Sequence, residues 1–111
     1  MTYEIVLAPD AAAALKTLST PVRTGVKAAV QRHLLHDPTK MSKSRIKRLR
    51  GLSQPQYRLR VDDIRVFYDV TETQVQILAI VTKAEAQAWL DEQATPAKDE
   101  TEGGGPRGSE R

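Results

Sequence analysis

Three apolar residues in succession, Ile5, Val6 and Leu7, lie between Tyr3 and Pro9 and predict a short strand that closes just ahead of a helix. Asp10 is then placed to cap AAAALKTL, a run of strong helix formers. Ser19, Thr20 and Pro21 interrupt that run and suit the start of a second helix with proline in its first turn. Within it Val22, Val26, Ala29, Val30 and then His33 or Leu34 recur every three or four residues and mark one apolar face. Asp37 before Pro38 ends that helix near His36, and so short a link between the two predicts an antiparallel helical hairpin.

From residue 56 the period shortens to two. Tyr57, Leu59 and Val61 alternate with Arg58 and Arg60, Asp62 and Asp63 make a two-residue turn, and Ile64 to Val70 returns as a second strand. After a turn at Thr71 to Thr73, the segment Gln74 to Thr82 carries Val75, Ile77, Leu78, Ile80 and Val81, a pattern of a central strand buried on both faces. Lys83 to Gln93 reads as a closing helix with Ala84, Ala88 and either Trp89 or Leu90 turned inward. The order predicts an α+β domain: an N-terminal strand, a helical hairpin, a three-stranded antiparallel meander and a C-terminal helix, the helical layer packed on a mainly antiparallel sheet.

At 111 residues the chain has room for one core. Residues 1–93 hold all the apolar periodicity, whereas 94–111 include three consecutive glycines and two prolines with no large apolar side chain, and read as a disordered C-terminal tail. The absence of cysteine excludes disulfides, thiolate metal sites and a cysteine nucleophile. With two histidines, His33 and His36, a histidine-rich metal site is not indicated either, and neither a metal nor a cofactor is expected. The longest near-continuous apolar run, Val75 to Val81, is far below the roughly 18 residues of a membrane span, so a cytoplasmic location without membrane contact is the default.

Net charge is only +3, but it is unevenly distributed. Lys40, Lys43, Arg45, Lys47, Arg48, Arg50, Arg58, Arg60 and Arg65 face only Asp62 and Asp63 within residues 40–65, a local +7 that leaves −4 for the rest. Residues 40–52 read as a basic connecting segment. Strand alternation puts Arg58 and Arg60 on one face, and Arg65 joins them if it shares that face across the turn. Three converging guanidinium groups repel one another unless an anion sits between them, and phosphate suits their bidentate fork. The plain alternative is a solvated face with the arginines paired to Asp62, Asp63 and Asp69.

Standard signals for nucleotide loops, zinc proteases and serine hydrolases are absent. Tyr57 and Tyr68 fall on strands and are read first as packing residues; His33 and His36 are read as cations favoured by a helix C-terminus. Gly51 serves a turn, and Gly25 suits close helix approach.

The stretch RLRGLSQPQYRLRVDDIRVFYDV, followed by a hydrophobic strand and a short helix, resembles the RelE/ParE superfamily of bacterial type II toxin–antitoxin toxins over roughly residues 3–92. That resemblance implies a microbial RNase-type sheet and one of two activities. RelE-type members enter the ribosomal A site and cleave mRNA by attack of the 2′-hydroxyl on the adjacent phosphate, whereas ParE-type members inhibit DNA gyrase; both are neutralised by a cognate antitoxin. Carried over by position, Arg58 and Arg60 would activate the 2′-hydroxyl and orient the phosphate, and Arg65 would stabilise the transition state. Lys83 stands in the basic motif after the last strand, and Lys43, Arg45, Lys47, Arg48 and Arg50 would hold RNA. The C-terminal part departs from the family: Ala84 follows Lys83, and Trp89 with Leu90 stands where a tyrosine acid is expected, which leaves Lys83 or Tyr68 to donate a proton. A degenerate module with little activity is the third reading.

Overall fold

A computed structural model describes residues 2–97. The elements run β1 (Glu4–Leu7), α1 (Pro9–Thr17), α2 (Thr20–Leu34), β2 (Ile46–Arg48), β3 (Leu52–Gln54), β4 (Tyr57–Val61), β5 (Ile64–Val70), β6 (Gln74–Thr82), α3 (Lys83–Gln93) and β7 (Thr95–Pro96). Five strands form one sheet in the order β1-β6-β5-β4-β2, with β1 parallel to β6 and every other pairing antiparallel. The expected α+β architecture and its meander are present.

One sheet face carries the main core. Leu59, Ile64, Val66, Tyr68, Val75, Ile77 and Ile80 meet Ala11 of α1 and Val26, Val30 and Leu34 of α2. Tyr68 is fully buried, donates its hydroxyl to the Pro38 carbonyl at 2.6 Å and stacks on Tyr57 with centroids 5.5 Å apart. These contacts fix the loop after α2 to the middle of the sheet. The opposite face is built from the alternate positions, Arg58, Arg60, Arg65, Phe67 and Asp69. There Trp89 of α3 stacks on Phe67, centroids 5.2 Å apart and planes 12° from parallel.

Local chemistry explains the elements and several departures from expectation. Helix α1 begins two residues earlier than predicted: Ala8 occupies the N-cap position without a side-chain hydrogen bond, Pro9 opens the helix, and Asp10 lies in the first turn, where its charge favours the helix dipole. Helix α2 stops at Leu34 rather than His36, and Val22 stays 41% exposed although it continues the apolar stripe. A Cβ at Gly25 would meet no atom within 4 Å, so that glycine does not serve close helix approach. Helix α3 is fixed by a capping box in which Thr82 and Glu85 satisfy each other's backbone N–H groups. Its Ala84 and Ala88 face solvent, and Ala86, Trp89 and Leu90 are the partly buried positions.

One strand, β2, lies within the supposed basic connector, and a second, β3, begins at its last residue. Ile46 is buried and pairs with Leu59, which turns residues 46–48 into an edge strand beside β4 despite Lys47 and Arg48. Leu52–Gln54 pairs with Thr95–Pro96, so residues 94–97, expected to begin the tail, continue the ordered chain; 98–111 lie outside the described residues. Strand β5, central in the sheet, is buried from Ile64 to Asp69, whereas β6 alternates and bulges at Leu78.

Candidate functional site

The β4–β5 hairpin brings the three predicted arginines together. Arg60 and Arg65 are direct cross-strand partners, and Arg58 lies two residues from Arg60 on the same face, opposite Phe67. The register depends on the tight turn, where Asp62 adopts a left-handed φ of 53° that aspartate tolerates better than most side chains. Lys47 of β2 pairs with Arg58 and adds a fourth cation to this face.

Their environments differ. Arg65 is buried, and its guanidinium donates to the carbonyls of Asp62 at 2.8 Å and Ile64 at 3.2 Å, so it is held rigidly. Arg58 is half-buried, and its Nε is shielded from solvent without a hydrogen-bond partner. Burial first, then the charges of Arg65 and Arg60, push the Arg58 pKa below its usual value. Arg60 is exposed. Among the described residues no carboxylate forms an ion pair with any of the three. Asp69, the expected counter-charge, instead accepts from Gln54 Nε2 at 2.7 Å and the Gln56 backbone N–H at 2.8 Å, tying β3 to β5. The arrangement is a rigid, electropositive surface with one cation fixed, one crowded and one free to reach, suited to a tetrahedral oxyanion.

The remaining site residues are dispersed. Lys83 is exposed at the first position of α3; its backbone N–H donates to the Asp63 carbonyl, which places it at the same end of the sheet as Arg65. Lys43, Arg45 and Arg50 are exposed in the segments flanking β2. Arg48 belongs to the other face: it lies over the Tyr57 ring, 5.4 Å from the centroid, and donates to the carbonyls of Leu49 and Gln56. Tyr68 is removed as a proton donor for the arginine face, because it is buried on the helix side, bonded to Pro38 and raised in pKa by desolvation and by Tyr57. Trp89 packs against Phe67 as a core anchor. The Phe67–Trp89 pair and the Gln54–Asp69–Gln56 network border the arginines and were not singled out from the sequence.

Fold and surface together define an α+β domain with a cationic sheet face opposite its α1–α2 hairpin. Among solved structures, the chain is similar to the archaeal RelE–RelB complex from Pyrococcus horikoshii OT3, with TM-score 0.62 and 24% identity over 75% of this chain and 97% of that one. The likeness is one of fold: the chain has a RelE-like fold. No family model matches it, and no curated protein does. Among the described residues, no helix is long and apolar enough to cross a membrane.

Proposed function

We infer that the chain is the toxin of a toxin–antitoxin pair and acts as a ribosome-dependent mRNA endoribonuclease that blocks translation. The observation that carries this reading is the unneutralised cluster of Arg58, Arg60 and Arg65, with a shielded, unpartnered Arg58 Nε, on an open sheet face. A phosphate there relieves the mutual repulsion of the three cations. Attack of the ribose 2′-oxygen on the adjacent phosphorus forms one P–O bond and breaks the bond to the 5′-oxygen, giving a 2′,3′-cyclic phosphate and a 5′-hydroxyl. The arginines stabilise the extra negative charge of the phosphorane, strongly because they are already in place. A guanidinium is a poor general base, so the 2′-hydroxyl proton passes to solvent water. Lys83, exposed at the same end of the sheet as Arg65, is the group left to protonate the departing oxygen. The partner that neutralises the chain is a cognate antitoxin, as RelB accompanies RelE in the similar structure.

A gyrase inhibitor of the ParE type is the second reading, and a specific observation favours it: the arginine face has no tyrosine or histidine acid, Tyr68 being turned away and Trp89 occupied by Phe67. Induced expression followed by mapping of mRNA ends, beside a supercoiling assay, separates the two. Codon-phased cuts that vanish in the Arg58→Ala, Arg65→Ala double variant support the nuclease. Blocked supercoiling with intact mRNA supports the inhibitor.

A further inference from the structure

A cavity of about 370 Å³ lies at the C-terminal end of α2, against the loop leading into β2. Arg32, His33, Lys40, Ser42, Ser44 and Arg45 line it, and Asp37 is the single carboxylate on its wall. The frame is fixed. Tyr68 anchors Pro38, the Lys40 N–H donates to the Asp37 carbonyl at 3.2 Å, and the Ser42 N–H donates to the Ile46 carbonyl at 3.1 Å. Ser42 Oγ in turn accepts from the backbone N–H groups of Arg45 and Ile46 at 3.1 and 3.2 Å, which sets Arg45 at the rim. His33 reports the local field. A helix C-terminus normally favours a protonated histidine, yet burial and then the charges of Arg45 and Arg32 lower its pKa. The pocket borders the β2–β4 pair whose other face carries the arginines, the Arg60 N–H donating to the Arg45 carbonyl at 2.8 Å in continuation of that ladder.

We propose that this pocket is a second phosphate-binding site, in which Arg32, Lys40 and Arg45 hold a backbone phosphate of the same RNA strand that crosses the arginine face. The inference rests on the proposed RNA-directed function and adds a contact outside the reacting centre. Met41 and Ile46 supply an apolar part of the wall, and the cations Arg32, Lys40 and Arg45 outnumber the one carboxylate, Asp37, which suits a phosphate. Arg32 and Lys40 are exposed, so their removal leaves the fold intact.

The test uses the full chain and a short 2′-O-methyl oligoribonucleotide, which lacks the nucleophile and binds without being cut. Affinity is measured across salt concentrations, and the His33 ring is titrated by NMR with and without the oligonucleotide. For the Arg32→Ala, Lys40→Ala double variant, the slope of log K against log salt should become shallower by about 0.7, the value of one lost single-strand phosphate contact. Affinity at low salt should fall about tenfold or more, and Arg32→Lys with Lys40→Arg should restore the slope. In the wild type, the oligonucleotide should raise the His33 pKa. An unchanged slope overturns the proposal, as does a His33 shift produced by inorganic phosphate but not by the oligonucleotide, or a loss confined to binding of a polyglutamate peptide. If Arg58→Ala, Arg65→Ala weakens RNA binding while the pocket variant does not, this site alone fails; if the wild type binds no RNA, both readings fail.

Discussion

At Arg58 a half-buried guanidinium keeps an unpartnered Nε while Arg65 and Arg60 press on its charge. A charged hydrogen bond to phosphate is worth roughly 1.5–3 kcal/mol, so Arg58→Ala should weaken single-stranded RNA binding by about 10- to 150-fold. Arg58→Lys should restore only part of this, because an ammonium cannot reproduce the planar fork. Two glycines test the backbone instead. Gly51 has a φ of 78° with open space around it, so Gly51→Ala should cost about 1–2 kcal/mol from the left-handed conformation alone. Gly25 is helical and unobstructed, and Gly25→Ala should stabilise by roughly 0.5–1 kcal/mol in denaturant unfolding. Protonation of His33 is disfavoured by the fold, so its contribution to stability is present above the unfolded pKa of about 6.5 and is lost as pH falls through the lowered folded value. His33→Gln should remove that component from the acid limb of the stability profile. From the sequence, alternation and the two-residue turn were enough to place Arg58, Arg60 and Arg65 together. Their missing counter-charges were not legible, because the capture of Asp69 by Gln54 and Gln56 depends on how β3 returns to the sheet.

Helix α3 has no fully buried residue and relies on the Thr82–Glu85 capping box and the Phe67–Trp89 stack. Trp89→Ala should therefore release α3 as a unit. The cost is roughly 2–3 kcal/mol, below the 3–5 of a fully buried aromatic, and α3 amides should lose hydrogen-exchange protection while β5 keeps its own. Protection lost equally throughout the sheet would contradict a locally docked helix. At this scale the long elements were legible because their apolar periods are unbroken. Strand β2 was not: a single buried apolar residue, Ile46, between lysines and arginines gives no alternation to read, and its pairing with Leu59 is a long-range contact. The inward face of α3 was misread for a related reason. Alanines fit either environment, and it is Trp89 finding Phe67 that sets the helix's rotation.

Over the whole molecule, a net charge of +3 resolves into a basic side and an acidic remainder. The fold gives that division a shape, with the arginine face on one side of the sheet and the α1–α2 hairpin on the other, and a positive rim running along β2 between them. If the proposed function holds, such a field would speed encounter with RNA and make association fall steeply with salt. The most direct measurement of the central claim is a reconstituted reaction in which the purified chain meets ribosomes holding a defined mRNA in the A site. The expected result is one cut leaving a 2′,3′-cyclic phosphate and a 5′-hydroxyl, abolished by a 2′-deoxy substitution at that nucleotide and by Arg58→Ala with Arg65→Ala. An mRNA that stays intact with the wild-type chain, or a cut that persists without the two arginines, would contradict it.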